Sequence, residues 1–264
     1  MSDTQVLPEK ARIAIIGGGI IGTSVAYHLA KRGIKDVILI ERKQLTSGTT
    51  WHAAGLVSLS WPTPTLTNLA KYSHELYASL EEETGQATGY KQIGSISLAR
   101  TEARLEEIKR TSSMAKVFGV ESEMIDNTRL AELYPGINTD GVLGALYTPD
   151  DGQTNPIDTT MALAKGARMN GVEIFENTVM EELLTKDNVI TGIRTDKGKV
   201  EVDQVILCGG MWTRDLAKTV GVQLPIYTCE HSYIVTEEME GLSQRPVLRD
   251  YDRGLYYKED AGKM

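Results

Sequence analysis

Apolar residues near the start of the chain change their spacing twice within a short stretch. Residues 12–16 are almost wholly apolar, which is typical of a parallel strand buried on both faces. Residues 37–41 (VILIE) form a second such run, and Gly33 stands where a helix would end. Between the runs, one face of a helix is indicated by the spacing of Ile20, Ile21, Ser24, Val25, His28 and Leu29. The pattern predicts a strand, a tight turn, a helix and a second strand.

The second half of the chain shows the signals of a helix followed by several strands. Asn155 and Pro156 suit the N-cap and first position of a helix, and Gly171 suits its end. Three runs that favour strands follow, at residues 179–185, 189–195 and 200–210, separated by turn residues. We therefore expect an α/β fold in which a small antiparallel meander leads into a buried strand.

Composition narrows the class of protein. The chain has 264 residues, 41% of them hydrophobic and 24% charged, which favours one large globular domain or two interleaved ones. A net charge of −8 argues against nucleic acid or an anionic membrane as a partner. The two cysteines form no metal or disulfide pattern. We see no leader sequence and no membrane-spanning run, so the expected location is the cytoplasm.

The glycine motif Gly17-x-Gly19-x-x-Gly22 lies between the first predicted strand and helix. In dinucleotide-binding folds, the first glycine permits the turn, the second lets the backbone approach a pyrophosphate, and the third lets helix and strand pack closely. The strand before it and the helix after it make a dinucleotide site the best interpretation, although a glycine-rich turn without a ligand is the simpler alternative.

Two further features support a dinucleotide. The amides of Ile20 and Ile21 begin the helix, whose positive end favours phosphate. Glu41 ends the second strand, where an acidic residue accepts hydrogen bonds from a ribose. These features leave NAD and FAD both open.

The segment SGTTWHAAGL, residues 47–56, surrounds one Trp and one His with small residues. Small residues allow the backbone to lie close to a ligand, so His52 is well placed to touch it. From the residues alone, a loop histidine bonded to backbone is the better explanation of the segment.

Together, GGGIIG, TSGTTWHAAGL, PDDGQTNP, CGGMW, EHSYIVTEE and PVLRDYD resemble the dimethylglycine/sarcosine dehydrogenase group of the D-amino-acid-oxidase-like FAD enzymes. This resemblance implies a Rossmann-type FAD-binding domain with a β-meander, interleaved with an α+β substrate domain that is incomplete here. It assigns residues 1–90 and 150–224 to the FAD-binding domain, and residues 91–149 and 225–264 to the substrate domain.

The same resemblance implies FAD as cofactor, joined covalently to His52. The remaining cofactor-binding residues that it implies are Gly17, Gly19, Ile20, Ile21, Gly22, Glu41, Arg42, Gly48, Thr49, Thr50, Trp51, Ala53, Ala54, Gly55, Leu56, Val179 and Trp212. For Val179 and Trp212, packing in the core is a second explanation. No metal ion is expected.

The substrate implied by the resemblance is an N-methylated glycine such as dimethylglycine or sarcosine, oxidised at its N-methyl carbon. Residues 225–238 alternate like a strand, which would put His231 on one face with Cys229 and Tyr233. A histidine that titrates near neutral pH suits a substrate amine. We take His231 and Tyr257 as candidate catalytic residues, with simple packing as the alternative.

The chain ends within the second substrate segment, so we expect an N-terminal portion of a longer enzyme. Tetrahydrofolate would be a partner only if a C-terminal domain follows, and the electron acceptor is not indicated. Three other functions remain open. The first is an FAD-dependent oxidase or dehydrogenase of another secondary amino acid. The second is a nicotinamide-dependent dehydrogenase, for which the segment around His52 would have no role, and the third is a nucleotide-binding fragment without activity.

Overall fold

A computed structural model describes residues 6–242, 244–259 and 262–264. The helices are α1 (Ile20–Lys31), α2 (Pro64–Thr84), α3 (Glu102–Val117), α4 (Asn127–Leu133), α5 (Pro156–Met169) and α6 (Thr213–Lys218). The strands are β1 (Lys10–Ile16), β2 (Val37–Ile40), β3 (Leu56–Val57), β4 (Lys91–Gln92), β5 (Ser95–Ala99), β6 (Glu123–Ile125), β7 (Gly144–Thr148), β8 (Gly152–Gln153), β9 (Glu173–Phe175), β10 (Met180–Lys186), β11 (Val189–Thr195), β12 (Gly198–Leu207), β13 (Val247–Asp250) and β14 (Leu255–Tyr257).

The chain divides into two compact units, each built from three segments. The first unit contains Met1–Ala53, Leu80–Thr88 and Pro156–Glu230, and the second contains Ala54–Ser79, Gly89–Asn155 and His231–Met264. Three of these boundaries lie within a few residues of the expected domain boundaries. The difference is the segment Ala54–Ser79, which groups with the second unit, whereas the sequence analysis assigned it to the first domain.

The first unit is built on a six-stranded sheet in the order β10-β11-β12-β1-β2-β9. Strands β12, β1, β2 and β9 run parallel, while β10, β11 and β12 form the antiparallel meander. All four residues of β2 are buried, as the apolar run predicts. Helix α1 packs against α5. The predicted Rossmann-type fold with a meander is confirmed.

The second unit has a five-stranded mixed sheet in the order β14-β13-β5-β7-β6 and a small sheet in the order β3-β8-β4. Ile96, Leu98 and Leu248 belong to one apolar cluster of the larger sheet, together with Leu130 of α4. Ala99 and Leu146 pack with Ile108 of α3 in a separate cluster. Helices and a largely antiparallel sheet give this unit the expected α+β character.

The strand predicted at residues 225–238 is wrong, because this segment has no regular secondary structure. Within it, Thr236 N–H donates to the carbonyl of Met264, and just after it Met239 N–H donates to the carbonyl of Gly262, both at 2.9 Å. Ile234 is 87% exposed. Alternating side chains favour a strand, but a strand also requires a neighbour that pairs its N–H and C=O groups along its length. Residues 255–257, by contrast, form the strand β14.

Candidate functional site

The glycine turn between β1 and α1 has the geometry that the motif requires. Gly17 has a φ of +116°, and a Cβ there would overlap the carbonyl group of Cys208 at the end of β12. A Cβ on Gly22 would overlap the carbonyl oxygen of Gly17. Both glycines are therefore needed for the close approach of α1, β1 and β12.

Gly18, which the sequence analysis did not single out, is equally constrained. A Cβ there would lie 2.6 Å from Cδ2 of Leu45 and 2.9 Å from Cβ of Glu41. Its N–H donates to Oε2 of Glu41 at 2.7 Å, and Oε1 of the same carboxylate accepts from Lys43 N–H at 2.9 Å. A carboxylate has about four acceptor positions, so Glu41 retains capacity for ribose hydroxyls. The unbroken run of three glycines, residues 17–19, is the sequence signal that could have identified Gly18.

The segment after β2 is attached to this turn by three hydrogen bonds, and we call residues 41–52 the His52 loop. In addition to the bond from Gly18 to Glu41, Thr46 N–H donates to the Gly18 carbonyl at 3.0 Å. Ile20 N–H donates to Oγ1 of Thr50 at 3.1 Å. The turn and the loop thus form one hydrogen-bonded structure within the first unit.

Two predicted cofactor residues of this loop, Arg42 and Gly48, lie beside a third, Trp212, which is distant in the chain. The guanidinium carbon of Arg42 lies 3.9 Å from the ring centroid of Trp212. A Cβ on Gly48 would be 3.6 Å from Cζ3 of the same indole, an ordinary van der Waals distance. Trp212 is 38% exposed, so it is not simply a core residue. The cluster offers a flat cationic and aromatic surface to a ligand.

His52 ends a short 3₁₀ helix, Thr50–His52, and is exposed. Its ring centroid is 3.6 Å from that of Trp51, which is 50% exposed. Thr49 precedes this helix as its N-cap, and Ala53 follows it.

The last part of the predicted cofactor segment, Ala54, Gly55 and Leu56, belongs to the second unit, because the boundary between the units falls between Ala53 and Ala54. There the carbonyl of Gly55 accepts from Thr154 N–H at 2.8 Å, and Leu56 pairs with Gln153 of β8.

Val179 and Ile21 are also exposed on the first unit, by 41% and 64%. The N–H of Val179 donates to the side chain of Asp196 at 2.9 Å, and its carbonyl accepts from the Asp196 N–H at 3.0 Å. Cys208 is the one thiol near the glycine turn in the part of the chain that the structure describes. Burial raises the pKa of this thiol, so it stays protonated at neutral pH and is a poor nucleophile.

The two candidate catalytic residues lie in the second unit but not at one cavity. Tyr257 lines a cavity of about 480 Å³ together with Tyr134, Arg245 and Leu248, whereas His231 is not among its lining residues. His231 is exposed in the irregular segment described above, so its expected position on a strand beside Tyr233 is wrong.

A buried carboxylate in the second unit was not recognised from the sequence. Asp151, in PDDGQTNP, is 2% exposed and accepts from Leu59 N–H at 2.8 Å and from the Ser95 hydroxyl at 2.6 Å. Arg249 Nη1 lies 3.8 Å from its Oδ2, and Arg249 also donates to the hydroxyl of Ser58. Burial raises the pKa of Asp151 despite these hydrogen bonds and the nearby guanidinium.

Within residues 6–242, 244–259 and 262–264, no three His, Cys, Asp or Glu side chains are grouped to hold a metal ion. No helix in the same ranges is long and apolar enough to cross a membrane.

Residues 12–264 match the DAO family of FAD-dependent oxidoreductases. The chain belongs to this family. An L-proline dehydrogenase from P. horikoshii superimposes with a TM-score of 0.88 and 27% identity, over 97% of this chain and 69% of that one. The glycine turn and the acceptor capacity of Glu41 are consistent with membership of a family that uses FAD.

Three curated relatives are similar over nearly the whole chain. The 4-methylaminobutanoate oxidase (formaldehyde-forming) of Paenarthrobacter nicotinovorans is 43% identical over 98% of this chain and 31% of its own length. The mouse mitochondrial pyruvate dehydrogenase phosphatase regulatory subunit is 39% identical, over 97% and 30%. Human mitochondrial sarcosine dehydrogenase is 37% identical, over 97% and 28%. The chain thus spans about three-tenths of the length of these relatives.

Proposed function

We propose that this chain supplies the FAD-binding part of an enzyme that oxidises an N-methylated amino acid at its N-methyl carbon. The observation that carries the proposal is the hydrogen-bonded glycine turn, in which Gly18 holds the Glu41 carboxylate beside the N-terminus of α1. Two relatives act, by their names, on 4-methylaminobutanoate and sarcosine, which are both N-methylated amino acids. The first is also formaldehyde-forming, which supports oxidation of the methyl carbon.

The residues of the first unit fit FAD in three respects. The glycine turn leaves space that side chains would fill, the N-terminus of α1 suits a diphosphate, and Glu41 suits a ribose. Arg42, Gly48 and Trp212 offer a flat surface for the remainder of the cofactor. When bound, FAD would accept the hydride equivalent from the substrate. The chain's own groups bind and orient the reactants, and His52 is the proposed point of covalent attachment.

The substrate assignments remain proposals. An amine must be unprotonated to lose a hydride equivalent from its methyl group, so a group that accepts the ammonium proton is required. We propose that the imidazole of His231 accepts this proton. We propose Tyr257 as a hydrogen-bonding partner of the substrate, because β14 leaves its ring 39% exposed.

Anaerobic reduction of the bound flavin tests this function. We expect sarcosine, dimethylglycine or 4-methylaminobutanoate to bleach the flavin absorbance of the full-length protein, and formaldehyde to appear after reoxidation by an artificial acceptor. The matched control is the corresponding amino acid without its N-methyl group. Acid-precipitated protein should retain flavin on the peptide that contains His52. A protein that binds FAD but is reduced by none of these amines would contradict the catalytic proposal.

A second candidate function has one specific observation in its favour. A relative of nearly equal similarity is, by its name, the regulatory subunit of a phosphatase. If this chain shares that role, the full-length protein would bind FAD and still fail the reduction experiment. The same measurement therefore separates the two candidates.

The role proposed for Glu41 gives a separate prediction. Glu41→Ala should weaken FAD binding by about 1.5–3 kcal/mol, because charge-assisted hydrogen bonds to the cofactor are lost. The dissociation constant should be measured by titration in a His52→Ala background, where FAD can exchange. Glu182→Ala is the matched control, since Glu182 is an exposed acid paired with Arg194 on the meander. Equal FAD affinity in the two variants would refute the assignment.

A further inference from the structure

The hydroxyl of Thr50 performs the task of a helix cap from outside the helix. A helix begins with N–H groups that lack intrahelical partners, and the side chain of the N-cap residue commonly accepts from one of them. The N-cap of α1 is Gly19, which has no side chain. Instead, Oγ1 of Thr50, from the His52 loop, accepts from Ile20 N–H at 3.1 Å. Thr50 is only 9% exposed, so this contact is well shielded from water.

The space at Gly19 matches this hydroxyl. A Cβ on Gly19 would lie 2.9 Å from Oγ1 of Thr50, which is too close for an undisturbed contact. The φ of Gly19 is −79°, a value open to any residue, so its backbone conformation does not require glycine. The missing side chain at Gly19 is therefore needed so that Thr50 can approach α1.

Thr50 also controls where His52 lies. It begins the 3₁₀ helix Thr50–His52, in which its carbonyl accepts from Ala53 N–H at 3.1 Å. His52 N–H donates to the carbonyl of Thr49 at 3.2 Å. Because two hydrogen bonds hold this short helix together, a shift of Thr50 away from α1 would carry His52 with it.

We propose that Thr50 is a positioning residue that couples binding of the FAD diphosphate at α1 to the placement of His52. A hydroxyl that accepts from Ile20 N–H has its own proton to donate, and a phosphate oxygen is the acceptor that the positive end of α1 attracts. Phosphate binding then fixes the His52 loop in the arrangement needed for attachment. This inference rests on the proposed FAD site and adds to it the control of the covalent bond.

The test compares Thr50→Val, which keeps the shape but removes the hydroxyl, with Thr50→Ser, which keeps the hydroxyl. FAD affinity is measured in the His52→Ala background. The rate of forming acid-stable flavin is measured with His52 present and FAD at saturation, so that occupancy is equal. We expect Thr50→Val to bind FAD about tenfold more weakly and to attach it about tenfold more slowly, with Thr50→Ser within about threefold of wild type.

Thr23→Val is the matched control. The Thr23 hydroxyl is buried in the first turns of α1 and donates to the carbonyls of Gly19 and Ile20, so its loss does not touch the His52 loop. This variant should attach flavin at the wild-type rate. Gly19→Ala should reproduce the defect of Thr50→Val, because its Cβ displaces Oγ1.

Three results would overturn the inference: wild-type affinity and attachment in Thr50→Val, an equal loss in Thr50→Ser, or slower attachment in Thr23→Val as well. If Thr50→Val does not fold, the comparison of Thr50→Ser and Gly19→Ala with wild type decides. A wild-type protein that binds FAD but forms no acid-stable flavin removes the coupling and leaves the FAD site intact. A wild-type protein that binds no FAD contradicts the proposed function itself.

Discussion

Replacing Gly22 with alanine should destabilise the first unit by at least about 3 kcal/mol, at the upper end for an overpacked core. The new Cβ would overlap the Gly17 carbonyl oxygen and lie 3.0 Å from the carbonyl carbon. Both atoms are backbone, so no side-chain rotation relieves the clash, and α1 must move away from the turn. FAD binding should be lost with it. The free energy of unfolding in urea measures the effect.

Gly48→Ala is the control for this prediction, measured for stability alone. Its Cβ would make an ordinary contact, 3.6 Å from Cζ3 of Trp212, so we expect a change below about 1 kcal/mol. If Gly22→Ala were as stable as Gly48→Ala, the close packing of α1 on the glycine turn would be wrong.

Asp151→Ala should have the largest effect in the second unit, about 3 kcal/mol of unfolding free energy. The substitution removes the acceptor for the Leu59 N–H and the Ser95 hydroxyl and takes the nearest carboxylate away from Arg249. Buried donors left without a partner account for most of the cost. Chemical denaturation of the two alanine variants Asp151→Ala and Asp150→Ala provides the comparison, because Asp150 is less buried and accepts from the exposed Gln92 side chain.

The same carboxyl group should also give stability a pH dependence. Burial raises the pKa of Asp151 in the folded protein, so the folded state holds this proton more tightly than the unfolded chain does. Its contribution is therefore complete below about pH 4 and is lost as the pH rises through the folded pKa. Wild type should lose stability relative to Asp151→Asn as the pH rises above about 4. A difference that stays constant over this range would show that Asp151 titrates normally.

The sequence predicted the first unit well because its elements depend on local patterns. The apolar runs of β1 and β2, the glycine turn and the meander turns each leave a signal within a few residues. The fold and the FAD-using family are both confirmed. The strand prediction at residues 225–238 failed because a local pattern was not sufficient. The alternation is local, but the strand that it predicts depends on pairing partners elsewhere in the chain.

The contacts that the sequence did not reveal join distant segments. Thr50 and Ile20 are far apart in the chain, and no spacing rule links a loop threonine to a helix N-terminus. Asp151 meets groups from three other segments, and PDDGQTNP does not say which of its acids is buried. The grouping of Ala54–Ser79 with the second unit is of the same kind, because a helical pattern identifies α2 but not the core against which it packs.

The strand order of the first unit has a consequence for synthesis on the ribosome. Strand β1 lies between β2 and β12, yet β12 ends only at Leu207. At a synthesis rate of about 5–20 residues per second, one edge of the apolar strand β1 stays without its neighbour for roughly ten seconds or longer. During that time the nascent chain carries a strand with one unpaired edge, a surface that chaperones bind and that other nascent chains can pair with. Slow translation between β2 and β12 would therefore lower the yield of folded protein without altering a single native contact.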